Sequence, residues 1–421
     1  MRSLEGLKQV LVEAHTDCEF AAAVRGLDLR VLLEIGEERL EVRLTDNPHI
    51  PENNEPDYDI VIDAPVATWA SITAPLPPPG YQSFTAVQRL DPRFEVRGDA
   101  VNVARALHAL ERLFELMRRE PKAAARITTR TDATAISGRY RDVVNAAGRK
   151  CRLYYESAGK GVPIVLLHTA GADSRQFHEL LCDAELGREW AMYAFDMPMH
   201  GRSFPAEDWQ AEAYRLTESE YADWCVSVIR QIIGKPAVVL GCSMGAAISM
   251  RLAARHREDL LGVVALEAPD KSPGRRNPLL CHPEVNQPSY GPAYVRGLMS
   301  PSSPLRKRRL ACWYYNQGGL GIYAGDLDFY SEEYDGTRYA GEIDASRLPM
   351  FFLTGEYDYS ASPAATQRLV DLIPGSHFAT MKGLGHFPMT ENPELFKEYL
   401  RPVLQRLQER IGTQQCERED A

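Results

Sequence analysis

The sequence predicts an α/β chain, a mostly parallel and twisted sheet with helices on both faces, preceded by a smaller N-terminal α+β domain. Three observations predict it. Continuous apolar runs at 164–167, 192–195, 238–241, 263–266, 351–353 and 378–381 alternate with helical patterns. Strands buried on both faces of a parallel sheet read this way. The run Val238-Val239-Leu240-Gly241-Cys242-Ser243-Met244-Gly245 passes from a strand through Gly-x-Ser-x-Gly into a helix start. The chain, at 421 residues, is also long for one domain, so two are expected.

Residues 1–118 stand outside the parallel-sheet pattern. Apolar residues over 4–24 have helical spacing. Residues 29–35 and 39–44 alternate like neighbouring strands joined by Gly36-Glu37-Glu38, and 59–63 reads as another short strand. Residues 65–72 fit a short helix, and the prolines of 75–79 force a loop. A last strand and turn at 93–99 leads into an amphipathic helix over 101–117. This order resembles a sterol-carrier-protein type domain. The resemblance is carried by Asp57-Tyr58-Asp59-Ile60-Val61-Ile62, Trp69, Gly80 and Phe94-Glu95-Val96-Arg97-Gly98-Asp99. It implies an apolar ligand, such as a fatty acyl chain or sterol, enclosed by the domain. The competing expectation is a domain that only mediates homodimer assembly or shields an active-site mouth. Residues 119–135 carry Lys, Arg, Ala and Thr without apolar period and are expected to be a linker.

In the second part, a sharp turn at Ser243 needs Gly241 and Gly245, because strand and helix nearly touch there. The serine hydroxyl is a weak nucleophile at neutral pH and requires a base. Two further segments follow apolar strands: Gly355-Glu356-Tyr357-Asp358 and Gly383-Leu384-Gly385-His386. The order Ser243, Asp358, His386 makes His386 the proton acceptor and Asp358 the group that orients it. Glu356 is the rival acid. A developing oxyanion needs backbone donors. The N–H of Met244 is the first candidate. The second lies in His168-Thr169-Ala170-Gly171, at Ala170, with Thr169 or Gly171 as alternatives. Cys242 is the rival nucleophile, disfavoured because Ser243 occupies the turn's apex.

These motifs resemble the α/β-hydrolase superfamily over 136–412. The segment Asp196-Met197-Pro198-Met199-His200-Gly201-Arg202-Ser203 adds to the likeness, with Met199 where relatives carry glycine and Thr169 where most carry the Gly of a His-Gly pair. His168, Asp196, His200 and Arg202 are read as structural. The resemblance implies the α/β-hydrolase fold with a helical cap over 268–345, and a tail follows at 413–421. The cap is rich in aromatics, which favours an apolar or aromatic substrate. Tyr314, Tyr323 and Thr169 are candidate substrate contacts. Arg306-Lys307-Arg308-Arg309 reads as a solvated helix face.

The implied activity is hydrolysis of a carboxylic ester, thioester or lactone of a small apolar acyl substrate. The alternatives are carbon–carbon hydrolysis of the meta-cleavage type, which shares Ser243-Met244-Gly245, and a ligand receptor or lipid carrier on a hydrolase scaffold. A net charge of −10 argues against nucleic acid as a partner. No apolar run reaches the roughly 18 residues of a membrane span. Eight cysteines without metal-ligand spacing suit reduced thiols and a cytoplasmic location. No cofactor or metal motif is present in the sequence.

Overall fold

The computed structural model describes residues 4–46, 57–118, 132–207, 214–319 and 321–419. Most of the expected linker, 119–131, lies outside them. The chain divides into two compact units, one of 1–127 with 278–304, the other of 128–277 with 305–421.

In the first unit, the helical run splits into Leu4–Glu13 and Cys18–Ala23. The break comes at Asp17, whose carboxylate caps the second helix by accepting from the Phe20 N–H at 2.9 Å. Strands β1 (Asp28–Ile35) and β2 (Glu38–Thr45) form an antiparallel hairpin. Strand β3 (Ile60–Ala64) lies parallel to β1, and β4 (Glu95–Gly98) antiparallel to β3, giving the order β2-β1-β3-β4. Asp99 accepts from the N–H groups of Val101 and Asn102 and so starts the helix Ala100–Leu116. Trp69, Phe84, Phe94 and Phe114 meet at ring distances of 5.5–6.1 Å and form the aromatic centre of this core.

Part of the expected cap packs within this first unit. The helix Gln287–Arg296 lies on Ala100–Leu116. Buried Arg296 pairs with Glu115 and Glu19, each at 2.5 Å. The Gly297 carbonyl accepts from Gln82 Nε2 at 3.1 Å. Burial of Arg296 is offset by two carboxylates, which leaves it firmly charged.

The second unit holds an eight-stranded sheet: β5 (Ser137–Val144), β6 (Lys150–Ala158), β7 (Val162–Leu167), β8 (Trp190–Phe195), β9 (Ala237–Cys242), β10 (Leu260–Leu266), β11 (Met350–Gly355) and β12 (His377–Met381). The order is β12-β11-β10-β9-β7-β8-β6-β5. The six strands from β12 to β8 are parallel, and β6 and β5 join antiparallel at one edge. All six apolar runs are strands, as predicted. Leu166, Phe177, Trp190, Leu240, Phe396 and Leu407 belong to one buried core cluster in this unit. Each such side chain contributes roughly 1.5–3 kcal/mol on burial. The final helix, Pro393–Glu419, continues into the region expected to be a tail. No described helix is long and apolar enough to cross a membrane.

Candidate active site

Successive parallel strands leave sheet order at β7 and β9, which pair with each other while the chain continues to β8 on one side and β10 on the other. Such a switch opens a crevice at the strands' carboxyl ends. Residues 168–172 follow β7, Ser243 follows β9, Glu267 follows β10 and Asp358 follows β11. With His386 following β12, the predicted Ser243, Asp358 and His386 arrive at one edge of the sheet, and Glu267 joins them.

Ser243 has φ 56° and ψ −112°, between the strand and the helix Met244–Arg255. A positive φ in a residue with a Cβ is a strained conformation, held here from both sides. Ser243 N–H donates to the Leu266 carbonyl at 2.9 Å, and its own carbonyl accepts from Ala247 N–H at 2.8 Å. A Cβ on Gly241 would collide with the backbone of Gly245, and one on Gly245 with the Leu167 carbonyl. The two glycines thus permit the turn for the reason their spacing predicts.

Asp358 Oδ2 accepts from His386 Nδ1 at 2.6 Å. Its Oδ1 accepts from the N–H groups of Ser360 and Ala361 at 2.7 and 3.1 Å. Burial pushes this carboxyl up, but the His386 charge and the donated hydrogen bonds outweigh it and hold it below its ordinary range. Glu356, the rival acid, is directed to Lys382 and to the Gly383 N–H instead. Cys242 is fully buried. Its thiol donates to the His386 carbonyl at 3.4 Å and ties the histidine segment to the elbow. Burial, with the Asp358 charge, pushes that thiol well up, so it is no thiolate.

In the loop after β7, Thr169 N–H donates to Gln176 Oε1 at 3.1 Å, and its hydroxyl pairs with Tyr315 at 2.7 Å. Gly171 N–H donates to Asp326 Oδ2 at 2.7 Å. Both alternatives to Ala170 are thus engaged, whereas no described group accepts from Ala170 N–H. His168 donates from Nδ1 to the Thr169 carbonyl and accepts the Met197 N–H at Nε2, which fixes one neutral tautomer. Burial and the neighbouring His200 charge push it down to about 4. His200 instead donates from both nitrogens, to the Pro198 carbonyl at 3.0 Å and to Asp326 at 2.8 Å. Burial opposes its charge, but Asp326 outweighs burial and raises it. Asp196 accepts from the N–H groups of Ser174 and Arg202, each at 2.8 Å.

The cap aromatics divide. Tyr323 packs on Gly171 and against Tyr315, whose ring in turn meets Phe387, next to His386. Tyr314 lies elsewhere, with Arg175 over its ring at 5.7 Å. Neighbouring helical residues point about 100° apart, so the site side of the helix Leu305–Tyr315 carries Tyr315. The sequence reading chose its neighbour.

Three groups escaped the sequence reading. Glu267 is fully buried at φ 54°, and its carboxyl accepts from Gly355 N–H at 3.0 Å. It is hydrogen-bonded to Asp358. Burial, then the Asp358 charge, raises it well above its ordinary value, so it is the protonated donor of that bond. Its signal was visible: an acidic residue directly after an apolar strand, as Asp358 follows one three residues on. Asp326 binds Gly171, His200 and Tyr214 from inside the helix Ile322–Leu327, with no motif to mark it. Tyr330 lies on the helical turn Asp328–Glu333 with its hydroxyl beside Ser243.

Residues 164–398, more than half of the chain, match the alpha/beta hydrolase family. A 32% identical stretch aligns with the uncharacterized hydrolase YraK of Bacillus subtilis, covering 26% of this chain and 38% of that protein. The pimeloyl-(acyl-carrier protein) methyl ester esterase of Yersinia enterocolitica is 22% identical over 59% of this chain and 95% of its own. Among solved structures, a thermophilic esterase from Thermogutta terrifontis superposes with a TM-score of 0.55 at 21% identity, covering 64% of this chain and 99% of that one. The sheet order, the strained elbow and the family match agree: the chain belongs to the alpha/beta hydrolase family.

Proposed function

We propose that this enzyme cleaves a carboxylic ester of an apolar acyl substrate through an acyl-serine intermediate. The observation that carries the reading is Ser243 on a strained turn, with His386 fixed by a 2.6 Å bond to a low-pKa Asp358. Ser243 Oγ attacks the carbonyl carbon while His386 takes its proton at Nε2. Asp358 keeps Nδ1 protonated and stabilises the imidazolium. Protonated Glu267 donates to Asp358 and keeps it an acceptor. The N–H groups of Met244 and Ala170 receive the oxyanion. The carbon–oxygen bond then breaks, His386 returns the proton to the departing alkoxide, and water repeats the sequence on the acyl-serine. Tyr315 and Tyr323, both against the 169–171 loop, frame the substrate with an apolar wall. The Yersinia relative is a methyl ester esterase, which supports this class of substrate.

The test is turnover of aryl esters of increasing acyl length, one acyl-thioester and one ring-cleavage dioxo acid, by the wild type and Ser243→Ala. Ester turnover that disappears in the variant is the expected result. Turnover of the dioxo acid alone would transfer the enzyme to carbon–carbon hydrolysis. Ester turnover that survives the substitution would refute the role of Ser243.

A further inference from the structure

Tyr330 is 2% exposed, and its hydroxyl faces the hydroxyls of Ser243 and Ser272. It reaches hydrogen-bonding geometry with no group, and neither does the equally buried Ser272 Oγ. Two unpartnered hydroxyls in one buried place are costly, because each has lost water without replacement. Their position is nevertheless enforced. Ser331 Oγ accepts from the N–H groups of Arg275 and Arg276 at 2.9 and 3.1 Å. Asp328 pairs with Arg276 at 3.0 Å. The Tyr334 hydroxyl donates to the Pro269 carbonyl at 2.8 Å, and its ring stacks on that of Tyr330. The turn bearing Tyr330 is therefore pinned on both sides to the segment bearing Ser272. A phenol held unsatisfied against a nucleophile is poised for a partner that arrives with the substrate.

Resting on the ester reading above, we infer that Tyr330 donates a hydrogen bond to the leaving-group oxygen of the substrate, with Ser272 behind it, which makes the enzyme selective for oxygen esters over thioesters. The chemistry selects that atom. When Ser243 Oγ bonds to the carbonyl carbon, two oxygens flank it. The carbonyl oxygen goes to the two backbone N–H groups. The alkoxy oxygen remains, within reach of a hydroxyl that already faces Oγ. Burial, partly countered by the two serine hydroxyls, pushes the phenol up to about 12, so it donates a hydrogen bond and keeps its proton. The proton that the alkoxide acquires comes from His386. Sulfur accepts hydrogen bonds weakly, so a thioester forfeits this interaction. The water that later deacylates the enzyme occupies the same place.

The experiment compares kcat/KM for an oxygen ester and a thioester of the same acyl group, in the wild type and Tyr330→Phe, alongside thermal unfolding. The phenylalanine keeps the ring and removes only the hydroxyl. The expected result is a loss on the order of tenfold for the oxygen ester, a change within about twofold for the thioester, and a Tm equal to or above wild type. An equal loss on both substrates, or no loss on the oxygen ester, overturns the inference and leaves the serine mechanism standing. A wild type that turns over neither substrate overturns the ester reading and this inference with it.

Discussion

At the residue scale, the candidate site holds a pair of acids driven in opposite directions. Asp358 is held below its ordinary range and Glu267 well above it, by His386 on one side and burial on the other. Glu267 therefore carries its proton in the fold under conditions in which the unfolded chain, at about 4.3, has lost it. The folded state then binds more protons than the unfolded, so stability falls as pH rises from about 4.3 toward the folded pKa of Glu267. Glu267→Gln keeps a donor for Asp358 and an acceptor for Gly355. It should retain most of the activity and gain stability over the wild type progressively above that pH, which Tm against pH would record. Parallel Tm curves from pH 4 to 8 would refute the protonated state. Asp358 has the opposite sign: its contribution is present above its unfolded value of about 3.9 and is lost as pH falls through its folded pKa. Asp358→Asn should lower kcat on the order of 10³–10⁴-fold, because the histidine loses its tautomer. Single-turnover acylation would measure this directly. The placement of Ser243, Asp358 and His386 at the carboxyl ends of strands was legible because each sits in a glycine-containing turn after an apolar run. Glu267 was overlooked because the elbow motif calls for one acid, and the second had no motif of its own.

At the element scale, the elbow and the loop after β7 depend on close contacts that the sequence states unequally. Gly245→Ala would push a methyl group into the Leu167 carbonyl. Because that neighbour is backbone in a central strand, relief requires moving the sheet, and a loss of at least about 3 kcal/mol is expected. Urea unfolding would detect it, and a loss below about 1 kcal/mol would show that the helix can retreat. Asp326 anchors the other loop by joining Gly171, His200 and Tyr214. Asp326→Ala strands a buried imidazolium, and its expected cost is about 3–5 kcal/mol. Activity measured on the folded fraction should fall too, as Ala170 loses its fixed neighbour. The elbow could be read from spacing alone, since two glycines about a serine have a steric reason. The loop's anchor could not, because Asp326 is brought to Gly171 by tertiary packing across 155 residues. Similarly, β5 and β6 were missed at the sheet's edge. The exposed polar faces of β5 leave no continuous apolar run.

At the scale of the whole molecule, the sequence disclosed two units and concealed how the chain builds them. The segment 278–304 reads as part of an aromatic cap, yet it completes the first unit's core. Tyr290, Ala293, Val295 and Leu298 are all buried, and Arg296 lies between Glu19 and Glu115. Local patterning carries no trace of such a long-range return. Deleting 1–127 should therefore give an aggregating protein, because the segment would keep its apolar face and a charge deprived of both carboxylates. Deleting 1–127 and also replacing 278–304 with a short Gly/Ser linker should recover soluble protein. Size-exclusion chromatography of the two deletions checks this, and a monodisperse first deletion would contradict it.

The same return has a consequence for synthesis. A ribosome emits the N-terminal residues first, and domains ordinarily fold as they emerge. Here the first unit must wait, incomplete, while 150 residues of the second pass out after it. Birth order and completion order are thus reversed or merged. Until Arg296 arrives, Glu19 and Glu115 face Arg112 without the second guanidinium that lies between them in the finished unit, and a nascent chain stalled before residue 278 should be the protease-sensitive form of this protein.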